Sequence, residues 1–195
     1  MSLGRPQQYN TEAVIDSAMN LFWRRGYEAT SMRDLTSRME LSRSSFYQAF
    51  GSKHALFLRC IEYYHQVTIS QMQERLDSSE SGFDFISRTL TQVITEDNEV
   101  TNPRGCLVIN AASEFAQSDA QVASCIFKCL QAYQDIFSLA IVKGQGDGSL
   151  KYSKDPVILA RFLVSNMSGL RTMLKAGTSR EALEEMVEII LETVR

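Results

Sequence analysis

Apolar residues recur along this 195-residue chain at spacings of three and four, the period of α-helices that each bury one stripe. Val14, Ala18, Leu21 and Phe22 mark a first helix, predicted from Thr11 to Arg25 and ended by Gly26. Ser31 reads as the N-cap of a short second helix with Leu35 and Met39 on its inner face. After Glu40 and Leu41, Ser42 caps a third helix whose inner face is Phe46 and Phe50. Gly51 breaks the chain. Ser52 then caps a fourth helix carrying Leu56, Cys60, Tyr63, Tyr64 and Val67 to about Leu76. Ser78 to Gly82 is the clearest linker. Further helices are predicted from Phe83 to about Glu96, Cys106 to about Ala116, Ala120 to Lys143, Pro156 to Lys175, and from Thr178 or Ser179 to the C-terminus. The breaks between them are the loop from Asp97 to Gly105, with Pro103, and a glycine-rich stretch from Gly144 to Asp155. The prediction is an all-α chain of about nine helices. Residues 1–52 form a three-helix head, residues 53–195 a helical bundle, and helix 4 (about 53–76) a rigid connector.

The pair of short helices carries the most chemistry. With Phe46 and Phe50 turned inward, Arg43, Ser44, Ser45, Tyr47 and Gln48 are left outside. They are hydrogen-bonding groups at the start of a helix that follows a tight turn, the end that a helix-turn-helix protein inserts into the major groove. Arg43 has the geometry for a bidentate contact with guanine O6 and N7, and Ser44 and Ser45 suit base edges or phosphates. Tyr47 and Lys53 suit phosphates, as do Thr30 and Ser31 at the start of helix 2. Arg5, in the polar N-terminal arm, suits the minor groove. A plainer reading of the same residues makes Ser31 and Ser42 simple caps, Arg43 a solvated arginine and Tyr47 a ring packed against the head.

Charge sharpens this reading. Residues 1–59 carry eight Lys/Arg against five acids, a net +3, and the chain as a whole carries −3, leaving −6 on the remainder. A basic head on an acidic body suits a protein that touches a polyanion with one end. No apolar run reads as a membrane span and the N-terminus lacks a signal-peptide core, so the expectation is a cytoplasmic protein without membrane contact. The four cysteines, Cys60, Cys106, Cys125 and Cys129, show no disulfide-scaffold spacing and are expected reduced. His54 and His65 form no metal-ligand pair, no nucleophile triad pattern occurs, and the glycines at 144, 146 and 148 lack the setting of a phosphate-binding loop. No enzyme, metal or cofactor is expected. Against the DNA-binding reading stand a helical protein–protein adaptor and a small enzyme.

Ala18, Phe22, the run Gly26 to Ser31, Asp34-Leu35, Ser42 to Ser45, Phe46 to Lys53 and Leu56-Phe57 resemble, in order and spacing, the DNA-binding domain of the TetR (tetracycline-repressor-like) family of bacterial transcription regulators. Glu40-Leu41 departs from it, because many relatives place a glycine before the recognition helix. Residues 60–195 match in general character. Within them, 104–115 and 159–177 resemble a branch that responds to electrophiles and multidrug efflux substrates. The resemblance implies a homodimer that binds a palindromic operator in double-stranded DNA and leaves it when a small-molecule inducer of unknown identity is sensed.

Three expectations concern the body. Ile158, Phe162, Ser165 and Gly169 on helix 8, with Leu183, Met186, Val187, Ile190, Leu191 and Val194 on helix 9, make wide stripes that suit a dimer interface or, equally by pattern, packing within the chain. Phe83, Ile86, Asn110, Glu114, Phe127, Tyr133, Asn166 and Met173 mix apolar and polar groups in a way that fits a ligand pocket or a filled core. Cys106 follows Arg104-Gly105 at the expected start of helix 6, where a helix N-terminus and a cation favour thiolate, and Lys175 is a candidate second cation. Cys106 is thus a candidate electrophile sensor, or a small buried apolar residue.

Overall fold

A computed structural model describes residues 10–95, 104–115, 117–151 and 155–195. Nine helices run through the described residues: α1 (Thr11–Arg25), α2 (Met32–Arg38), α3 (Arg43–Phe50), α4 (Lys53–Ser78), α5 (Gly82–Thr95), α6 (Leu107–Phe115), α7 (Ala120–Asp147), α8 (Pro156–Lys175) and α9 (Arg180–Val194). The expected arm with Arg5, the end of helix 5 at Glu96, the loop through Pro103, and residues 116 and 152–154 lie outside the described residues. Two compact units divide at Tyr64/His65, later than the expected boundary at 52/53. The reason is visible in α4. Its Leu56, Phe57, Cys60, Ile61 and Tyr64 are buried with the first unit.

In the first unit, local signals and packing agree. Asn10 caps α1 by accepting from the amides of Glu12 and Ala13. Ser31 and Asp34 form a reciprocal capping box on α2, and Ser42 accepts from the Ser45 amide on α3. Ala18, Phe22, Leu35 and Phe46 are nearly or fully sealed from solvent around Leu56 and Phe57. Cys60 is core, as expected. Burial first, and then Asp16, pushes its thiol pKa up. The helix-turn-helix turn is made by Glu40 at φ 54, a left-handed conformation that costs a side-chain-bearing residue about 1 kcal/mol or more. Glu40→Gly is therefore expected to stabilise the first unit by about 1 kcal/mol, read as a raised urea midpoint with unchanged slope.

In the second unit, Phe85, Ile86 and Leu90 of α5 meet Tyr133, Phe137, Ala140 and Ile141 of α7, and α8 and α9 close the core with Leu163, Leu170, Leu183 and Val187. The Phe85 and Phe137 rings cross at 5.7 Å between centroids. α7 runs on through Gly144, Gln145 and Gly146 to Asp147, where a flexible glycine-rich connection was expected. Tertiary contacts outweigh the roughly 1 kcal/mol helix penalty of each glycine. Asp147 accepts from the Gly82 amide at 3.0 Å and from the Ser149 amide at 2.8 Å. Lys143 Nζ donates to the Ser79 carbonyl at 2.7 Å, and the Phe83 amide donates to Ser149 Oγ at 3.2 Å. The bonds from Ser149, then those from Gly82 and the charge of Lys143, hold the Asp147 carboxyl below its ordinary pKa. α7 also passes, by length and a hydropathy of 1.3 in its most apolar window, as a membrane-spanning candidate, contrary to expectation. Its Tyr133, Ile136, Phe137, Ala140 and Ile141 are spent on the core of the second unit.

Candidate functional site

The first unit presents α3 outward. Phe46 and Phe50 anchor the helix from beneath, and Arg43, Ser44, Tyr47 and Gln48 are exposed, with Ser45 half-buried. Ser42 Oγ lies 2.9 Å from both Ser44 Oγ and Ser45 Oγ, so three hydroxyls cluster at the start of α3 beside Arg43. Tyr47 is 51% exposed and meets the Phe46 ring edge-on at 5.5 Å. The ring is seated and much of the side chain faces solvent. Lys53 is the first residue of α4, half-buried, with Nζ 4.1 Å from the centre of the Tyr27 ring.

Ser31 is exposed and works as a cap. Its hydroxyl and amide, and then Arg25 with a guanidinium nitrogen at 3.2 Å, hold the Asp34 carboxyl below the usual range. Thr30 needs correction as a DNA contact. It is fully buried, and its hydroxyl donates to the Gly26 carbonyl at 2.7 Å while its amide donates to Tyr27. The side chain closes the α1–α2 connection and has no face toward solvent. Sequence reading also passed over a polar groove of about 410 Å³ lined by Leu21, Arg25, Arg33, Asp34, Ser37, Arg38 and Glu40. The spacing of Arg33, Ser37 and Glu40 opposite Leu35 was the available signal.

In the second unit Cys106 is buried just before α6, at 7% exposure. Lys175, at the end of α8, passes Gly105, the residue before Cys106. A Cβ on Gly105 would stand 3.2 Å from Lys175 Cδ, so the lysine stem runs close over that glycine. Lys175 Nζ donates to Asn110 Oδ1 at 3.1 Å, and Asn110 Nδ2 donates to the Arg104 carbonyl at 3.0 Å. Asn110, expected in a pocket, instead ties the Cys106 segment to α8.

The other expected pocket residues do not share one environment. Ile86 and Tyr133 are buried in the core, Phe83 is half-buried beneath the Arg195 guanidinium at 4.8 Å, and Asn166 donates to the Phe162 carbonyl of its own helix. Glu114, Phe127 and Met173 face solvent, Phe127 at 68% exposure, and so they do not line the interior of the chain. Helical spacing cannot tell an inward aromatic from an outward one when both flanks are mixed. The interior polar atoms lie elsewhere. His65 Nδ1, Thr89 Oγ1 and Gln92 Oε1 are buried without a hydrogen-bond partner among the described residues. His65 meets Tyr133 edge-on at 5.6 Å, and burial lowers its pKa. Among the described residues, no three metal-ligating side chains come together.

The helix 8 and 9 stripes resolve differently. Ile158, Phe162, Ser165 and Gly169 are exposed on α8, joined by Val157 and Met173. Leu183, Val187, Ile190 and Val194 are corrected from interface to core: they are buried by the chain's own α5 and α8, with Met186 and Leu191 packed partly against the same cluster. A stripe that wide is satisfied once the chain folds over it. α9 instead turns Ile189 outward, 63% exposed.

Comparison with known proteins bears on the whole chain. Residues 14–60 match the family model described as bacterial regulatory proteins, tetR family, and residues 86–190 match that of the tetracyclin repressor-like C-terminal domain. The transcriptional repressor ComR of Escherichia coli (strain K12) is 26% identical over 202 residues, covering 100% of this chain and 91% of ComR. A cysteine mutant of the TetR family regulator CifR, solved on a 26-bp double-strand operator, is 29% identical, covers 98% of this chain and 100% of its own, and superposes with a TM-score of 0.86. The reduced form of E. coli NemR shares the fold at 23% identity and TM-score 0.85, over 92% of this chain and 93% of its own.

Proposed function

The chain belongs to the TetR family of DNA-binding transcriptional regulators, and from that premise we propose a homodimeric repressor that holds a palindromic operator and lets go when its second unit takes up a small molecule or an electrophile. The observation that carries the DNA half is the outward row of Arg43, Ser44, Ser45, Tyr47 and Gln48, set on an α3 that buried Phe46 and Phe50 anchor. Arg43 reads a guanine; Ser44, Ser45 and Gln48 add base-edge or phosphate bonds; Ser31, Tyr47 and Lys53 hold the backbone. CifR was solved on operator DNA, and ComR carries the name of a repressor, which supports the same role here. The protein accordingly works in the bacterial cytoplasm.

One head offers too few base contacts for specific binding, so two half-sites are needed. The exposed α8 face of Val157, Ile158, Phe162 and Met173, with Ile189 of α9, is the apolar surface a second copy would cover. A Cβ on Gly169 would meet nothing within 4 Å, which leaves room for a close helix there. For the inducer, the buried partnerless polar atoms of His65, Thr89 and Gln92 give a mostly apolar interior a few hydrogen-bonding points, the composition of a small-molecule site. Cys106, next to the Gly105 that Lys175 passes, is the place for an electrophile: the thiol adds across the electrophile's double bond, its sulfur bonding the electrophilic carbon and its proton going to the carbon or oxygen at the other end, and the enlarged side chain no longer fits its buried seat.

The test is fluorescence anisotropy on the chain's own promoter region, with a salt series. A regulator binds a short palindrome with a steep salt slope, and binding that ignores sequence and symmetry ends the proposal. In the same assay a quinone or aldehyde is expected to release the wild type at micromolar dose. Cys106→Ser should need at least about tenfold more; equal release removes the cysteine from the mechanism while leaving the DNA reading intact.

A further inference from the structure

Lysine is a poor instrument for position. Its stem rotates about four bonds, and ordering it on a phosphate costs rotamer freedom. Lys53 has a fixed seat. Its Nζ stands 4.1 Å from the centroid of the Tyr27 ring, within the range of a cation–π contact. The Tyr27 ring is itself held. It stacks on Phe22 at 5.8 Å and 16°, and meets Phe57 at 5.0 Å and 53°. Phe22 and Phe57 cross at 5.1 Å and are 1% and 2% exposed. The Tyr27 carbonyl accepts from the amide of buried Thr30, which fixes its backbone. Four aromatic and backbone contacts thus lead from the core of the first unit to one ammonium group.

We infer that Tyr27 is a positioning residue for DNA binding: its ring face holds the Lys53 ammonium where a backbone phosphate arrives. An aromatic seat differs from a carboxylate in what it leaves behind. A carboxylate would neutralise the charge and occupy N–H donors. The ring carries no net charge, attracts the cation through its quadrupole, and covers only one side, so Lys53 keeps its positive charge and donors for an anion on the other side. This rests on the reading of Lys53 as a phosphate ligand, and the experiment separates the two.

Operator affinity is measured by fluorescence anisotropy across a salt series for Tyr27→Phe, Tyr27→Leu, Lys53→Met and the double variant. Circular dichroism melting is run on each, and Tyr27→Met replaces Tyr27→Leu if the latter does not fold. Tyr27→Phe, which keeps the ring, is expected within about twofold of wild type. Tyr27→Leu should weaken binding by about 5- to 30-fold for the two heads of a dimer. Lys53→Met should flatten the salt slope by nearly one phosphate per head. The deciding result is the double variant, which should bind within about twofold of Lys53→Met. If the Tyr27→Leu loss is undiminished on the Lys53→Met background, Tyr27 acts on the fold alone and the inference is overturned. If Lys53→Met leaves both affinity and slope unchanged, the phosphate role of Lys53 is what fails.

Discussion

Arg43→Ala is expected to raise the operator Kd by about 30-fold or more while the protein folds as before. A bidentate arginine–guanine contact is worth about 1–3 kcal/mol, and a dimer on a palindrome loses it twice, so roughly 30- to 10⁴-fold is at stake. Folding is spared because Arg43 is exposed at the first position of α3 and its side chain makes no ion pair or hydrogen bond among the described residues. The cap there belongs to Ser42, and the anchors to Phe46 and Phe50. The loss is also expected to be sequence-specific. On the operator the affinity gap should be large, and on unrelated duplex it should shrink to the effect of one positive charge per head. Anisotropy on both duplexes, beside melting curves, checks this. A variant that binds the operator as the wild type does would take base reading away from Arg43.

Gly82→Ala is expected to cost the second unit about 3 kcal/mol, seen as a fall in melting temperature of about 10 °C. The added Cβ would stand 2.2 Å from the Ala140 carbonyl oxygen and 2.2 Å from the Gly144 amide nitrogen, both backbone atoms that have no rotamer in which to escape. The same place holds the bonds from Gly82 to Asp147 and from Lys143 to Ser79, so a displaced α5 start would break those too. Gly146→Ala is the control. It lies in the last turn of α7, a Cβ there meets nothing within 4 Å, and the helix gains roughly 1 kcal/mol. Equal melting temperatures for the two variants would show that the close approach of α5 and α7 relaxes at little cost.

The first unit was legible because its signals are local. Asn10 escaped notice, but Ser31, Ser42 and Ser52 were recognised as caps, and Leu35, Met39, Phe46 and Phe50 as inner faces, from spacing alone. Thr30 escaped because a threonine beside an N-cap looks the same in sequence whether its hydroxyl meets DNA or, as here, the carbonyl of Gly26. The second unit was legible in its helices and less so in their roles. The Gly144–Asp147 turn reads as a flexible connection because glycine propensity is a local quantity, whereas Gly82 and Ser79 hold that stretch of α7 from elsewhere in the chain. Phe127 and Tyr133 sit six positions apart on one helix; one is exposed and the other sealed.

What the chain determined by itself was where helices begin and end in the head, which side of each is apolar, and the row of hydrogen-bonding groups on α3, since caps and helical period act within a few residues. Only the tertiary structure decided what covers each apolar side. It turned Leu183, Val187, Ile190 and Val194 into core, left Ile158 and Phe162 outside, brought Lys175 past Gly105 to Asn110, and set Lys53 on Tyr27. An apolar stripe shows that a surface leaves water; the element it meets is chosen by the whole chain's competition for the same buried space.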